Sequence, residues 1–573
     1  MSFERVSQDR PILIILKHFY TLKAAEHEVV ERLAQSTRDL GWEPRIVNVD
    51  ANFVSKNLVQ IEKGGDAVLD IHYEYPKFLK PRSLGAVWTP TSFMKDWDLA
   101  YVWENQLSHD ELVHTQSDLV IELLKRYRPD ESFGILNHSL PSSWLSWVEH
   151  GIRKPVARAF YAGINWSKLS GRPGRHHEFF KYLDNGDVLD IYGPKKVSHV
   201  IPWKGFVSYR GEIPFDGKSL LLKARESGIS LVLSSQQHLN EGMISSRFFE
   251  GLFAGNAIIS DRHPFIQKHL GKNAYYLDFD KGDDYASAQL VEYVTELRAD
   301  SHKLQELQAL SKDLFLKKFD LTEQLKVILQ PKPVQLAKVE NLDAVVLGSS
   351  STGILKKLET LGFKRVEFVS TQIDSLQDLV ELAQSLDLER FCIFSGNSDF
   401  LDNFVDRIGK LQEMIKDKAT EIAILGTVAL FQGPKIFAPV LVQSAKSLPL
   451  NGLLIDTSNL SSIPKIHVDG IPSLRVHDFH EIKYISTFLS PYHFLRNRFE
   501  NLPRAQLGEQ SVRQIVSTGL ANLSAISVND VAEEIRRLPK GRKRATIYAL
   551  LASLPLLKPF VVLAKWFIRK KRN

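Results

Sequence analysis

The first apolar run, Pro11-Ile12-Leu13-Ile14-Ile15-Leu16-Lys17, is continuous rather than alternating, as a strand covered on both faces requires. A helical pattern over about 23–40, Gly41 and a second run over about 44–49 complete a β-α-β start. Short apolar runs near 67–71, 84–88, 99–103 and 133–137 then alternate with polar stretches, which predicts a first lobe ending near residue 150. A second series opens at 156–164, with a strand ending in Gly163. It continues with a helix at about 174–183, a strand at 187–192 closed by Gly193-Pro194, the run Leu231-Val232-Leu233, and further signals at 244–254, 257–260 and 274–277. An amphipathic helical stretch over 301–328 precedes the linker signal Gln330-Pro331-Lys332-Pro333. A third series starts at Ala344–Gly348, with strands expected at 365–369, 390–395, 422–426 and 452–455. The pattern therefore predicts an α/β chain with Rossmann-like lobes at 1–150 and 151–330, an α/β domain at 341–500, and a separate tail at 536–573. No solenoid-type repeat period is present.

Composition adds a compartment. A chain of 573 residues with 44% hydrophobic and 24% charged residues is an ordinary globular one. Its single cysteine, Cys392, excludes an intramolecular disulfide and a thiolate metal cluster, so a reducing compartment is expected. Met1–Arg10 is polar, and the run Ile12–Leu16 is too short for a secretory signal core, so export is not expected. Charge adds a tail. The formal net charge is +6, but residues 536–573 contain twelve Lys or Arg and no acidic residue, and subtracting these twelve leaves −6 for the rest. A slightly acidic body argues against a nucleic-acid groove and points to one basic anchoring element.

The stretch Asn240 to Asp261 carries the most chemistry. A polar loop, Asn240-Glu241-Gly242, is read as entering a helix that bears Arg247 and Glu250, stops at Ala254-Gly255 and leads to a strand ending in Ser260-Asp261. A helix start offers free N–H groups and a positive dipole end to a diphosphate, and a carboxylate in its first turns can accept from a ribose diol. The bland reading of Arg-x-x-Glu is a solvated surface pair. These residues resemble the donor-binding lobe of GT-B glycosyltransferases, especially group 1 and spore-coat-type members. The resemblance implies that Glu250 holds the nucleotide ribose and that Gly242, Ser245, Ser246 and Arg247 lie near the diphosphate. Group 1 enzymes place two glutamates eight positions apart, whereas Glu241 and Glu250 are nine apart. The resemblance therefore gives Glu241 no sugar-contacting role and fixes neither retention nor inversion.

A second stretch, Phe160 to Trp166, Gly171 to Phe180 and Val188 to Gly193, is similar to the segment opening the donor lobe of fucosyltransferase-like and spore-coat-type GT-B proteins. It implies that Arg172 or Arg175 neutralises the leaving diphosphate. Trp203 to Tyr209 fits that family's glycine turn, with Gly205 lining the nucleotide. In the first lobe His18 follows a strand, and Asp70, His72 and Glu74 end another. Carboxyl ends of parallel strands face a cleft, so His72 or Glu74, with Asp70 behind them, are the candidate general bases. Trp88, Trp97 and Trp103 are candidates for sugar stacking or for the core.

In the third series Phe391 to Ser395 precedes Gly396-Asn397-Ser398-Asp399, which loosely resembles the strand carrying the metal-binding Asp-x-Asp of GT-A glycosyltransferases. Asn397 in place of the first Asp removes an anionic ligand for Mg²⁺ or Mn²⁺, and a helix start after a strand is an equal reading. This favours a degenerate domain over a second transferase. In the tail, Arg542-Lys543-Arg544 and Arg569 to Arg572 flank apolar runs broken by Pro555, Lys558, Pro559 and Lys565, a pattern of short interfacial helices rather than a membrane span. A partner-binding helix is the alternative.

Together these features lead us to expect a hexosyltransferase-type GT-B enzyme, cytoplasmic and peripheral on the inner face of the plasma membrane. Its partners would be a nucleotide sugar, a glycan or lipid-linked glycan acceptor of surface-polysaccharide synthesis, and anionic lipid, with no nucleic acid. No cofactor is expected, and a divalent metal only if the third domain is active. A non-catalytic carbohydrate-binding or scaffold protein and a bifunctional transferase are the rival readings. Deleting 536–573 should abolish sedimentation with anionic vesicles, and the intact chain should lose it steeply as salt rises past a Debye length of about 8 Å. Equal sedimentation of both proteins would show that the tail is not the anchor.

Overall fold

A computed structural model describes residues 10–17, 25–49, 61, 64–73, 77–90, 106, 108–127, 131–150, 155–164, 176–184, 187–197, 200–330, 339, 341–347, 352–370, 376–395, 398–400 and 408. It also describes five short strands between 422 and 486. The chain divides into two compact units, one of residues 1–48, 86–92 and 113–331, the other of 49–85, 93–112 and 332–573.

In the first unit, strand β1 (Ile12–Lys17) pairs in parallel with β2 (Glu43–Asn48) across the helix Ala25–Asp39. Strands β3 (Gly65–Asp70) and β4 (Arg82–Val87), which come next along the chain, have their pairing in the second unit, whereas β5 (Glu111–His114) and β6 (Gly134–Ile135) pair in parallel within the first at Val113–Gly134 and His114–Ile135. The helix Asp118–Tyr127 connects that last pair. Leu13, Ile14 and Ile15 are fully buried, which explains the unbroken apolar run.

The sheet that carries most of the chemistry is formed by β7 (Arg158–Ala162), β8 (Leu189–Tyr192), β9 (Tyr209–Gly211), β10 (Gly228–Val232), β11 (Ala257–Asp261) and β12 (Tyr275–Leu277). It is parallel throughout, in the order β12-β11-β10-β7-β8-β9. Counted from its first strand this is the 3-2-1-4-5-6 order of a Rossmann sheet. The chain runs outward from β7 in one direction and outward from β10 in the other, so a crevice opens beyond the carboxyl ends of those two neighbours.

The helix Ser246–Phe253 is held across this sheet by its apolar stripe. Phe248, Phe249, Leu252 and Phe253 recur at helical spacing and are fully buried, leaving Arg247 and Glu250 on other faces. Phe249 meets Phe319 at 5.2 Å and Phe253 meets Phe315 at 5.1 Å, both edge to face. The predicted single helix over 301–328 is two, Ser301–Lys318 and Leu321–Ile328. Phe319 turns into the core between them, and Asp320 caps the second helix by accepting from Thr322 N at 3.0 Å. Asp320 also accepts from Ser142 Oγ at 2.6 Å, while Leu321 N donates to Leu140 O. The break thus sends Leu321–Ile328 back to pack on Ala25–Asp39.

In the second unit β3 and β4 pair in parallel from Ala67–Arg82 to Asp70–Gly85. Beyond residue 341, β13 (Asp343–Leu347) lies in parallel between β14 (Val366–Val369) and β15 (Arg390–Ser395). Strand β16 (Ser398–Phe400) follows β15, and β17 (Ile422–Ile424) and β20 (Leu453–Asp456) extend the β13 sheet antiparallel, β20 pairing with β15 and with β17. Strands β18 (Thr427–Gln432), β19 (Phe437–Val442) and β21 (Glu481–Ser486) join β16 in a four-stranded sheet. The α/β class expected of this region holds. Cys392 is completely buried on β15, and burial pushes its thiol well above the usual range, which makes it an inert core residue. No helix among the described residues is long and apolar enough to cross a membrane, and the tail at 536–573 lies outside them.

Gly251 is where the helix meets the sheet: a Cβ there would stand 2.8 Å from Ile258 Cδ1 and 2.9 Å from Ser230 Cβ. Gly251→Ala should therefore destabilise this sheet by about 1–3 kcal/mol, read as a lowered Tm of the first unit. An unchanged or raised Tm would refute that packing.

Candidate functional site

Arg247 sits at the crevice between β7 and β10. Its Nε donates to Ala162 O at 2.5 Å, at the end of β7, and its Nη1 lies 3.5 Å from Leu233 O, just past β10. Its guanidinium lies 5.2 Å from the Tyr161 ring centroid. Gly163 leaves it room, since a Cβ there would approach Arg247 Nη2 to 2.7 Å. Gly193, at the end of β8, is tighter still: a Cβ would stand 2.4 Å from Gly163 O, which accepts from Trp203 Nε1 at 3.0 Å. Two glycines thus bring the backbones of β7 and β8 into contact. Gly205 makes the turn closed by Phe206 N to Trp203 O and has a left-handed φ of +87° with open space at its Cα.

The approach to the Arg247 helix differs from the sequence reading. Asn240 and Glu241 are not loop residues but end a short helix, Gln236–Glu241, capped by Ser235, whose side chain accepts from His238 N at 3.2 Å. Gly242 ends that helix at φ +63°. Its successors are fixed by His263, whose Nδ1 accepts from Phe265 N at 3.1 Å; the remaining nitrogen, Nε2, then carries the proton and donates to Met243 O at 3.1 Å. Burial pushes the His263 imidazole down, which keeps this neutral form. Asp261 Oδ2 accepts from Ser234 N at 2.6 Å and holds the end of β10 against β11. Ser245 then precedes Ser246–Phe253 with an extended backbone, but its hydroxyl does not cap the helix and is buried with no hydrogen-bond partner among the described residues. The first N–H groups of that helix receive no side-chain cap, the condition in which a helix start binds an anion.

Glu250 is not a surface residue. It is 4% exposed, and its Oε1 accepts from Arg32 Nη2 at 2.8 Å. Arg32, on Ala25–Asp39, is 1% exposed and also lies 3.5 Å from Glu28 Oε2. Two buried carboxylates therefore share one guanidinium. Burial pushes Glu28 up to about 7; Arg32 opposes the shift, and the charges of Glu250 and Asp216 add to it. A small cavity of about 10 Å³, room for about one water, lies between Arg247, Glu250 and Ser230.

Other groups of the same unit join this region. Ser117 Oγ donates to Glu241 O at 2.5 Å and accepts from Val120 N. Before it, Gln116 has a left-handed φ of 59° that lets its N–H donate to His114 Nδ1 at 3.0 Å. Burial pushes His114 down to about 4. His138 packs on Trp88 at 4.1 Å, and desolvation pushes it down to about 3, with His238 and Arg32 acting in the same direction. Trp88 itself is a core residue whose Nε1 donates to Leu136 O at 2.8 Å.

Of the candidate bases, Asp70 is completely buried at the end of β3 and its Oδ1 accepts from His72 N at 3.0 Å. His109 Nε2 lies 3.8 Å from Asp70 Oδ2, and Gln106 Nε2 donates to His72 O at 3.2 Å. Asp70 and His72 thus share a buried polar cluster. His18, Glu74, Arg172, Arg175, Trp97, Trp103 and Asn397 lie outside the described residues. Arg32, Glu28, Ser117, His138 and His263 carry no signal in the sequence that singles them out. Arg32 and Glu28 stand four apart on an amphipathic helix, a signal indistinguishable from a surface ion pair.

No protein-family model matches the chain, and no curated protein matches it in sequence. Solved structures do. One is a glycosyltransferase from Rickettsia africae, 11% identical with a TM-score of 0.39, covering 56% of this chain and 97% of that one. Another is a putative UDP-N-acetylglucosamine 2-epimerase from Listeria monocytogenes, 10% identical with a TM-score of 0.37, over 56% and 95%. A third is a pneumococcal O-GlcNAc transferase complexed with UDP and GlcNAc, 13% identical with a TM-score of 0.31, over 48% and 59%. At such values the likeness assigns no activity, and these neighbours themselves include an epimerase beside transferases.

The Glu28 carboxyl yields a pH prediction. Because its folded pKa is raised, the folded state keeps a proton that the unfolded state has lost, so this group's contribution falls as pH rises from about 4.5 to about 7. Glu28→Gln cannot titrate. Its Tm relative to the parent should therefore increase between about pH 5 and about pH 8, whereas a pH-independent difference would show that Glu28 titrates normally.

Proposed function

We propose that the chain is a GT-B-type glycosyltransferase that moves a sugar from a nucleoside-diphosphate donor to a glycan or lipid-linked glycan acceptor. The observation that carries this reading is the position of Arg247 and the uncapped start of Ser246–Phe253 at the reversal point of a Rossmann-ordered sheet. Ligands of such sheets bind in that crevice. A diphosphate would take the N–H groups at Ser245-Ser246-Arg247, and Glu250 would accept from the ribose diol. Arg247 is committed on one edge to Ala162 O and would offer its remaining nitrogens to the leaving phosphate, where charge develops as the glycosidic bond breaks. Gly205 and Gly242 would line the nucleotide, and Arg172 or Arg175 would add charge at the diphosphate.

On the acceptor side, His72 or Glu74, supported by Asp70, would take the hydroxyl proton. GT-B chemistry of this kind needs no metal, and the third domain, with Asn397 before Ser398-Asp399, would be structural. Action at the cytoplasmic face of a membrane, through the basic tail, and a place in surface-polysaccharide assembly belong to the same proposal.

A thermal-shift screen of nucleotide sugars tests the core of it. At least one should raise Tm, by about 2.7 kcal/mol of linkage at a hundredfold excess over Kd, and the same sugar should be released or transferred in solution. Transfer should persist in EDTA and in Asp399→Ala. No shift with any nucleotide sugar would overturn the reading, and loss of all transfer on chelation would favour a metal-dependent second site.

A further inference from the structure

Arg32 is among the largest completely buried side chains described, yet among the described residues only one of its three nitrogens finds a hydrogen-bond partner. Nη2 faces Glu250 Oε1 at 2.8 Å and Glu28 Oε2 at 3.5 Å. Nε and Nη1 are buried and have no hydrogen-bond partner among the described residues. Other arginines of the same unit are held differently. Arg298 places Nε on Ala157 O at 2.9 Å, and Arg247 places Nε on Ala162 O, so in each the inner nitrogen is satisfied by a backbone carbonyl. Among the described residues Arg32 donates to no backbone carbonyl. Its grip on Glu250 is single rather than the two-pronged fork that arginine and carboxylate prefer, so Glu250 Oε2 accepts no protein hydrogen bond among the described residues. A buried arginine and a buried carboxylate, each holding back hydrogen-bonding capacity beside the other, mark a place that a ligand completes.

We infer that Arg32 is the positioning residue of the donor site, pinning Oε1 of Glu250 so that Oε2 is left to accept from the ribose diol of a nucleoside diphosphate. The inference rests on the reading of Glu250 as the ribose carboxylate. Its physical content is a division of labour. A carboxylate buried at the crevice needs a cation beside it to stay charged, and that cation must not occupy both oxygens. Arg32 meets both conditions because it approaches from Ala25–Asp39, is 218 residues from Glu250 along the chain, and places a single nitrogen on Oε1. Its free nitrogens stand ready for the lone pairs of a hydroxyl that donates to Glu250. Glu28, the weaker contact, balances the guanidinium and has no part in reading the sugar.

The test uses the full-length protein and calorimetry with uridine, guanosine and adenosine diphosphates, each beside its 2′,3′-dideoxy counterpart. The parent should bind at least one ribose form about tenfold more tightly than the dideoxy form. Arg32→Gln and Arg32→Lys should abolish that preference while leaving dideoxy affinity within about twofold, a split that general destabilisation does not produce. Glu250→Gln should do the same, and the Arg32→Gln, Glu250→Gln double variant should lose nothing further. Glu28→Gln should keep the preference. If Glu250→Gln loses the preference but folded Arg32 variants retain it, Arg32 is only structural and the inference falls. Failure of both Arg32 variants to fold overturns it as well. If no diphosphate binds the parent, or Glu250→Gln still prefers ribose, the reading of Glu250 falls first and takes the inference with it.

Discussion

At the point where a Rossmann-ordered sheet reverses direction, two neighbouring strands send their chains to opposite sides and leave backbone carbonyls facing a crevice. Arg247 closes that gap by bridging toward Ala162 O and Leu233 O. The rest of the second sheet's upper edge follows from this contact. Gly163 must lack a side chain for the guanidinium to reach β7, and Gly193 must lack one for β8 to reach Gly163. The helix that delivers Arg247 must then lie at a fixed height and rotation, which the stripe Phe248, Phe249, Leu252 and Phe253 supplies by packing on Phe315 and Phe319. Glu250 emerges one turn later from the same helix, so its burial is a consequence of where Arg247 is held.

A carboxylate forced inside requires an answer elsewhere in the chain, and it comes from the first helix. Arg32 reaches Glu250 only if Ala25–Asp39 is held close to the second sheet, and the return of Leu321–Ile328 onto Ala25–Asp39 does that. Asp320 is the hinge of this arrangement. It stops one helix from running on, caps the next, and ties both to Ser142. Ser117 adds a second tie, between the start of Asp118–Tyr127 and Glu241 O. Charge pairing and chain return are therefore coupled: loosening either would expose the two carboxylates around Arg32 to each other without their shared cation.

What could be read beforehand was local. The alternation of continuous apolar runs with helical periodicity gave the α/β class and the strands of the second sheet, because burial on both faces leaves a sequence trace. The Arg247 to Glu250 spacing, with Gly255 and an apolar strand after it, exposed the helix and its sheet edge. Glu241 has the sequence signature of a loop residue because a six-residue helix capped by Ser235 is too short to show a period. The long stretch 301–328 has the pattern of one continuous helix because Phe319 keeps the apolar rhythm through the break, and only the capping role of Asp320 ends it.

The missing partner of Glu250 illustrates a different limit. Arg32 and Glu28 form the i, i+4 spacing of an ordinary surface pair, and nothing nearby in sequence says that both are inside. Burial of a charge is a property of the fold, settled by what packs over it from hundreds of residues away. That is also why the pair is informative about function. An apolar residue at position 32 would pack at lower electrostatic cost, and a surface arginine would be solvated; a buried arginine with two nitrogens unpartnered among the described residues is neither. Such a group is costly to bury, and the cost is offset only where hydrogen-bond acceptors reach its nitrogens.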